Sequence, residues 1–348
     1  MMTIPVSAKR EYSPSPAEFE ESGWWGGFPA DEQGLLRRAD DWPAHPSLSD
    51  LSHETLKELT QNEGMDFAVA VLYTRLLREP QNAALYARVR ERRKRSPAAC
   101  PRPVTLAFCP GAYYREITKN GADGRILREA AEPYVYQTIL VPTGSSATAA
   151  TNGSFLCNWL CERPAGECIV LASLSKGASD IKAALAHPMA EIAFCNVRGW
   201  INVSGVLSGL PILNWLLRRP LMTAAYRVLF WCRGMNFRVI PSLRWGEGED
   251  LDFPLRLPAH MRMLTVIGFP LGRHVGHPLL RKNRRRMAPW GPNDGLMLLW
   301  DSCRLPGAVY PVWGADHFMR PDGDSRPLAA LLAGILVEEL ADHVCTAS

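Results

Sequence analysis

The segment Cys168–Gly177 constrains the fold of this chain more than any other. It reads Cys-Ile-Val-Leu-Ala-Ser-Leu-Ser-Lys-Gly, an apolar run typical of a buried strand that ends just before Ser175. A stretch with helical character, Ala178–Ala186, follows at once. A strand that turns directly into a helix needs small residues two positions before and after the turn. Ser173 and Gly177 meet that need, and the segment therefore predicts a nucleophile elbow with Ser175 at its tip.

Two residues that could activate this serine come later in the chain. Asp294 lies in the segment Gly291–Leu296, and His317 ends the segment Val312–His317. A serine hydroxyl is a poor nucleophile at neutral pH and needs a base, and the imidazole needs a carboxylate that fixes its tautomer and stabilises its cation. We therefore predict that Ser175 attacks, that His317 takes its proton, and that Asp294 supports His317.

The elbow and the order serine, aspartate, histidine resemble the α/β-hydrolase superfamily over about residues 101–340, and in particular bacterial-type serine hydrolases of the esterase and lipase kind. The resemblance implies a doubly wound, mostly parallel α/β sheet with a helical cap. The usual G-x-S-x-G motif has Ser173 in place of its first glycine. That departure leaves a degenerate, non-hydrolysing member of the superfamily open.

Other interpretations of the three residues exist. Ser175 could be an ordinary helix N-cap, and His317 could be a surface residue of a loop. Asp294 stands in Asn-Asp-Gly, a common turn sequence. The competing acids are Asp316, which adjoins the histidine and would point away from it, and Asp301, which falls in an apparently helical stretch. Asp294 fits the layout of the superfamily best.

Acyl transfer also requires N–H donors for the tetrahedral oxyanion. In the superfamily one donor follows the nucleophile, here Lys176, and another comes from the loop after an early strand. The segment Phe108–Tyr114 resembles that loop in its Pro-Gly step, although Pro-Gly after a strand is also an ordinary turn. We predict Ala112 as the second donor and Gly111 as the alternative. The side chain of Lys176 is expected to take no part in the chemistry.

Composition excludes several other classes of protein. The 348 residues are 47% hydrophobic and can bury a large core, which excludes a fibrous or disordered chain. The formal net charge of +4 is largely accounted for by the run Arg281–Arg286, which is predicted to be a solvated loop. The rest of the chain has no broad excess of positive charge, so no nucleic-acid partner is predicted. The nine irregularly spaced cysteines and the first ten residues, which carry no sustained apolar stretch, favour a reduced, cytoplasmic protein.

No cofactor and no metal ion are predicted. The segment Gly268–Gly276 lacks the glycine spacing of a dinucleotide fingerprint and contains a proline. The histidines and cysteines that suggest a metal do not occur at a recognised ligand spacing. They are His274, His277, Cys157, Cys161 and Cys168.

The chain divides into two predicted parts. Residues 1–100 form a partly helical N-terminal extension, whose first part, to about Leu51, lies over the body and is anchored by Trp24 and Trp25. Residues 101–348 form the α/β-hydrolase domain, and a charged, proline-containing linker at about 92–103 separates the two parts.

Strand-like and helical segments alternate in the second part, as a parallel sheet requires. The predicted strands are Val104–Cys109, Val135–Val141, Ile169–Ala172, Ile192–Val197, Met263–Gly268 and Val309–Val312. Predicted helices between them are Arg125–Glu132, Ala147–Cys161 and Ser179–His187.

Residues from about 199 to 262 interrupt this alternation and are predicted to form a cap or lid. Two apolar helical segments, Val203–Leu217 and Met222–Cys232, are separated by Arg218-Arg219-Pro220. The interruption leaves each far short of the roughly 20 apolar residues that a membrane span needs, so no stable membrane insertion is predicted. The cap favours a small-molecule substrate with an apolar acyl group.

The sequence therefore predicts a serine hydrolase that cleaves a carboxylester, lipid ester or thioester through an acyl-enzyme. One alternative is a non-catalytic α/β-hydrolase-like protein that binds a lipid or a protein partner through its cap and extension. Another is an acyltransferase, in which an alcohol replaces water in the second step.

Overall fold

The computed structural model describes residues 28–93, 104–118, 121–319 and 334–335. The predicted anchors Trp24 and Trp25, and residues 94–103 of the predicted linker, lie outside the described residues.

A single parallel sheet organises the described residues. Its strands are β1 (Val104–Cys109), β2 (Gln137–Leu140), β3 (Cys168–Leu174), β4 (Val197–Val203), β5 (Arg262–Phe269) and β6 (Ala308–Trp313). They lie in the order β2-β1-β3-β4-β5-β6, and all neighbouring pairs are parallel. Every residue of β1 is buried, as expected for a strand with helices on both faces. The sheet confirms the predicted α/β fold class.

Helices precede the sheet and connect its strands. Before β1 come α1 (Ala30–Asp40), α2 (His53–Asn62), α3 (Met65–Arg78) and α4 (Pro80–Arg93). The connecting helices are α5 (Arg125–Ala131), α6 (Ala149–Cys161), α7 (Lys176–Leu185), α8 (Ala190–Ala193), α9 (Pro211–Leu217), α10 (Pro220–Cys232), α11 (Pro278–Met287) and α12 (Leu299–Cys303). Short 3₁₀ helices lie at Leu48–Asp50, Glu132–Tyr134, Phe237–Val239, Pro241–Leu243 and Ala288–Trp290.

The strand predicted at Ile192–Val197 is wrong. Helix α8 occupies its first part, and Ile192 is 68% exposed although it is strongly apolar. The strand that pairs with β3 is β4, which begins only at Val197. Residues 199–203, which the sequence placed in the cap, therefore belong to the sheet.

The basic run Arg281–Arg286 is helical and forms part of α11, which corrects the predicted solvated loop. Arg284 within it is buried. Its guanidinium donates to the carboxylate of Asp66 at 2.8 Å and to the carbonyl of Pro270 at 3.0 Å. Part of the positive charge of the run is therefore used inside the fold.

The helices before β1 complete one face of the sheet. In α3, every residue from Phe67 to Leu77 is buried. The Tyr73 ring lies 5.4 Å from that of Phe269 in β5 and 4.9 Å from that of Trp313 in β6, centroid to centroid. Leu36 of α1 belongs to the same apolar cluster. These helices thus share a core with the sheet.

The segment between β4 and β5 contains α9 and α10. Pro211, Ile212 and Leu216 of α9 are buried, whereas Phe230 is the one buried residue of α10. Its ring meets that of Tyr113, in the loop after β1, edge to face at 5.5 Å. No helix in the described parts of the chain is long and apolar enough to cross a membrane.

Candidate active site

The candidate site lies at the carboxyl edge of the sheet. Ser175 follows the last residue of β3 and is the N-cap of α7. Asp294 lies between α11 and α12, and His317 lies four residues beyond the end of β6. Because the carboxyl ends of parallel strands meet at one edge, residues far apart in the sequence converge there.

The backbone at Ser175 has the sharp turn predicted for an elbow. Its φ of 51° and ψ of −116° are unfavourable for a residue with a side chain, which costs on the order of 1–3 kcal/mol. Two hydrogen bonds maintain this conformation: the Ser175 N–H donates to Val203 O at 3.1 Å, and Val206 N–H donates to Ser175 O at 3.0 Å. The end of β4 therefore holds the serine in place.

The two neighbours of the elbow are small for different reasons. A Cβ atom at Gly177 would lie 2.1 Å from the carbonyl oxygen of Cys109, so β1 leaves no room for a side chain. Ser173 is buried, and its hydroxyl accepts the indole N–H of Trp200 at 2.8 Å. The serine that replaces the usual glycine is therefore accommodated by a hydrogen bond to β4.

The structure brings Ser175, His317 and Asp294 together. His317 Nε2 lies 3.0 Å from Ser175 Oγ, and His317 Nδ1 lies 2.8 Å from Asp294 Oδ2. Both distances are within hydrogen-bond range. If Nδ1 donates to the carboxylate, Nε2 is left as an acceptor for the serine hydroxyl. The arrangement can remove a proton from Ser175.

Asp294 is a turn residue as well as the partner of His317. Its Oδ1 accepts the N–H groups of Leu296 and Met297, both at 2.9 Å, while Oδ2 faces the histidine. The Asn-Asp-Gly turn thus orients the carboxylate. Asp294 can therefore be both an ordinary turn residue and the acid that faces His317.

The competing acids bind elsewhere. Asp301 pairs with His53 at 2.8 Å and accepts the indole N–H of Trp245 at 2.9 Å. Asp316 accepts the backbone N–H of Phe318 at 3.0 Å.

The predicted oxyanion donors differ in availability. The Lys176 N–H opens α7, where the first amides of a helix have no intrahelical acceptor. The Gly111 N–H already donates to Ala122 O at 2.8 Å, which corrects the alternative donor. Among the described residues, the Ala112 N–H has no hydrogen-bond acceptor, and the next residue, Tyr113, has a left-handed φ of 60° that turns the loop.

A solved structure shares this architecture. A metagenomic carboxyl esterase aligns with a TM-score of 0.50 and 22% identity, over 70% of this chain and 77% of the esterase. A lipase of Bacillus licheniformis, in its mature form, aligns with a TM-score of 0.47 and 22% identity, over 68% of this chain and 94% of the lipase. The chain has the α/β-hydrolase fold. No protein-family model matches the sequence, and no curated protein is significantly similar to it.

Within this α/β-hydrolase fold, a buried ion pair supports the elbow helix from behind. Lys176 Nζ donates to Asp180 Oδ1 at 2.6 Å, one turn along α7. Asn152 donates to Asp180 Oδ2 at 2.8 Å and accepts the Gly144 N–H at 2.8 Å, which joins α7 to the loop after β2. Burial raises the pKa of Asp180 to about 6, against the opposing effect of Lys176. The i, i+4 spacing was visible in the sequence, but the burial was not.

A second group missed from the sequence holds the end of β6 in this α/β-hydrolase fold. Glu32 of α1 accepts the indole N–H of Trp313 at 2.5 Å and contacts His274 Nε2 at 2.7 Å. Arg273 pairs with the same carboxylate. Trp313 is four residues before His317, so α1 fixes the start of the loop that carries His317. No sequence signal connects residues this far apart.

Three of the five residues that had suggested a metal have other partners. His274 binds Glu32, the ring of His277 contacts that of Phe318 at 5.4 Å, and the Cys157 thiol donates to Ala184 O at 3.3 Å. Within the described ranges, no group of three or more His, Cys, Asp or Glu side chains could hold a metal ion.

Proposed function

We propose that this protein is a serine hydrolase that cleaves an ester-type bond through an acyl-enzyme. The observation that carries the proposal is the chain of two hydrogen bonds from Ser175 through His317 to Asp294, built on a strained elbow. A helix N-cap serine needs neither a left-handed φ nor a buried histidine on its hydroxyl, so the ordinary interpretation does not account for both features.

In the first step, His317 Nε2 takes the proton of the Ser175 hydroxyl while Oγ attacks the carbonyl carbon of the ester. The negative charge on the carbonyl oxygen is stabilised by the backbone N–H groups of Lys176 and Ala112. Asp294 stabilises the imidazolium cation. The imidazolium then gives its proton to the leaving alkoxide or thiolate, and the acyl group stays on Ser175.

In the second step, His317 takes a proton from a water molecule, and the resulting hydroxide attacks the acyl carbon. The ester bond to Ser175 breaks, and the proton returns from His317 to Oγ. The products are an alcohol or thiol and a carboxylic acid. The enzyme recovers its starting protonation state.

The surroundings of the site favour an apolar acyl group. Tyr113, beside the oxyanion donor Ala112, packs against Phe230, and Phe230 packs against Phe237 at 5.5 Å. Aromatic side chains from the loop after β1 and from the β4–β5 segment thus cluster next to the proposed oxyanion donor. A hydrocarbon chain gains more from burial against such groups than a charged one does.

The decisive experiment is labelling with a fluorophosphonate probe, read by intact mass. The wild type should gain one probe adduct, Ser175→Ala should gain none, and Ser154→Ala, which changes an exposed serine of α6, should label like the wild type. Hydrolysis of p-nitrophenyl esters of increasing chain length then tests the acyl preference. A folded wild type that never labels would contradict the proposal and favour the non-catalytic alternative.

A further inference from the structure

Helix α10 presents apolar side chains to solvent along one face. Leu221 is 86% exposed, Val228 is 59% exposed and Trp231 is 81% exposed. With Ala225 and Cys232, also exposed, they define the α10 apolar face. Leu221, Ala225, Val228 and Cys232 have the spacing i, i+4, i+7, i+11, which places them on one side of the helix, and Trp231 adjoins Cys232 at the edge of that side.

This polarity is the reverse of that of an ordinary surface helix, in which the apolar stripe faces the core and polar residues face water. The inward side of α10 does contribute Phe230 to the core, so the helix is anchored. The outward side carries no charged residue between Leu221 and Cys232 apart from Arg227, which reaches back over the Phe237 ring at 5.3 Å. Such an exposed apolar face points to a binding surface.

The stretch of sequence that contains α10 carries charge of one sign only. From residue 192 to residue 246 the sequence contains no aspartate, no glutamate and no lysine. It contains Arg198, Arg218, Arg219, Arg227, Arg233, Arg238 and Arg244. Seven positive charges and no negative one give this stretch a formal charge of +7, against +4 for the whole chain.

Five of these arginines are exposed and flank α10. They are Arg218 and Arg219 before it, Arg227 within it, and Arg233 and Arg238 after it. Arg219 and Arg286 each lie 3.8 Å from the centre of the Trp215 ring, so a further arginine, from α11, lies close to Arg219. An apolar face with arginines before, within and after its helix matches a surface in which negatively charged groups lie over an apolar layer.

We propose that α10 binds the surface of an anionic phospholipid bilayer. Leu221, Val228 and Trp231 would enter the boundary between headgroups and acyl chains, and the arginines would contact lipid phosphates. The helix has 13 residues and is about 20 Å long, too short to cross a bilayer and suited to lie in its surface.

The same charge argues against the other occupants. Two copies that met through this face would bring arginine against arginine, with no acidic residue from this stretch to pair with either. A protein partner would need a strongly acidic rim around an apolar centre. A bilayer that contains anionic lipid supplies both features at once.

Surface binding would also place the site at its substrate. Phe230, on the inward side of α10, contacts Tyr113, the residue after the proposed oxyanion donor Ala112. This consequence rests on the proposed function, whereas bilayer binding itself does not. The two are therefore tested separately, by measuring binding on the Ser175→Ala variant.

The test is co-sedimentation of full-length Ser175→Ala protein with vesicles of phosphatidylcholine, with and without phosphatidylglycerol. We expect binding to the anionic vesicles and little binding to phosphatidylcholine alone. Adding Leu221→Ser and Trp231→Ser should abolish most of it. Since each arginine near an anionic surface contributes roughly 1 kcal/mol, or about fivefold, Arg218→Gln with Arg219→Gln should weaken binding roughly 25-fold.

The matched control is Ile192→Ser, which removes another strongly exposed apolar side chain but lies on α8, at the amino edge of the sheet. It should bind anionic vesicles as the parent does. The circular dichroism spectrum and the thermal unfolding of each variant report whether the fold is retained.

Three results would overturn the proposal. The first is that the folded parent does not bind anionic vesicles. The second is that the variant with Leu221→Ser and Trp231→Ser binds them as strongly as the parent does. The third is that the parent does not bind vesicles but forms a dimer in solution, and that these two substitutions abolish the dimer. The last result would identify a second copy of the chain as the occupant.

Discussion

The indole N–H of Trp200 donates to the hydroxyl of Ser173 at 2.8 Å, between adjacent strands of the sheet and immediately below the elbow. Both side chains are buried, so neither can bind water instead. The serine found where the superfamily usually has glycine is therefore part of the packing between β3 and β4. The altered motif does not by itself indicate a degenerate site.

Replacing Ser173 with alanine should lower stability and leave the nucleophile intact. The Trp200 N–H would remain buried without its acceptor, which costs about 1–3 kcal/mol in the free energy of unfolding. Urea denaturation measures this loss, and Ser154→Ala on the exposed face of α6 is the control. Loss of fluorophosphonate labelling without loss of stability would instead assign the Ser173 hydroxyl a role in the chemistry.

Gly177→Ala should disrupt the elbow. The new Cβ atom would lie 2.1 Å from Cys109 O and 2.8 Å from Pro110 O. Both are backbone oxygens at the end of β1, and they cannot move away without a shift of the strand. We expect a loss of about 3 kcal/mol or more in the free energy of unfolding, with loss of labelling.

Gly34→Ala is the matched control for this change, because Gly34 is also helical but has no atom within 4 Å of the position that a Cβ atom would take. It should be neutral or stabilising by up to about 1 kcal/mol, from helix propensity alone. If both variants behaved alike, the close approach to β1 would not matter.

Asp294→Asn should reduce kcat while the fold is retained. An asparagine can keep the hydrogen bonds of the turn, but it does not stabilise the imidazolium and can fix the wrong tautomer of His317. The loss expected for a triad aspartate is roughly 10⁴-fold in kcat. Asp301→Asn, which changes the competing acid, should keep a kcat close to that of the wild type. The reverse result would reassign the acid.

The Lys176–Asp180 pair should give stability a distinct pH dependence. Burial raises the pKa of Asp180 from its ordinary value of 3.8 to about 6, so between about pH 4 and pH 6 the folded state binds a proton that the unfolded state has lost. The contribution of Asp180 to the free energy of unfolding therefore falls as pH rises through this window and is constant above it. At 1.36 kcal/mol per pKa unit, the change is up to about 3 kcal/mol.

The measurement is the difference in unfolding free energy between the wild type and the neutral Lys176→Met, Asp180→Asn double variant, at several values of pH. Subtraction removes the titration of all other carboxylates. A difference that stays constant from pH 4 to pH 6 would show that Asp180 titrates normally.

Glu32→Ala should destabilise the protein by about 1–3 kcal/mol, because it leaves His274 without its carboxylate and the buried Trp313 N–H without an acceptor, while Arg273 keeps its pair with Asp31. Burial opposes the ionisation of Glu32, but the hydrogen bonds from His274, Arg273 and Trp313 outweigh it and lower its pKa. This contribution is present at neutral pH and is lost as pH falls through that lowered pKa.

Thermal denaturation at neutral pH tests this prediction. The control is Asp31→Ala, which removes the exposed neighbouring acid that also pairs with Arg273 and should change the melting temperature little. Equal effects of the two variants would show that α1 does not stabilise the end of β6 through Glu32.

The features of this fold that depend on short stretches of the chain could be predicted from the sequence. A strand that ends at a serine between small residues implies a sharp turn by steric necessity, and alternating apolar strands and helices imply a parallel sheet. The elbow conformation of Ser175 and the bounds of β1 follow from such short-range rules. The order of Ser175, Asp294 and His317 could be recognised because it is a property of the chain itself.

Tertiary structure decided what depends on burial and on contacts between distant segments. Ile192 is as apolar as a strand residue, yet packing left it exposed on α8 and placed β4 later. Gly111 and Ala112 are adjacent, and only the bond from Gly111 to Ala122 distinguishes them as donors. Glu32 and Trp313 meet only because α1 and the end of β6 share one core. Composition and periodicity report which residues prefer burial, but the neighbours they acquire depend on how the whole chain packs.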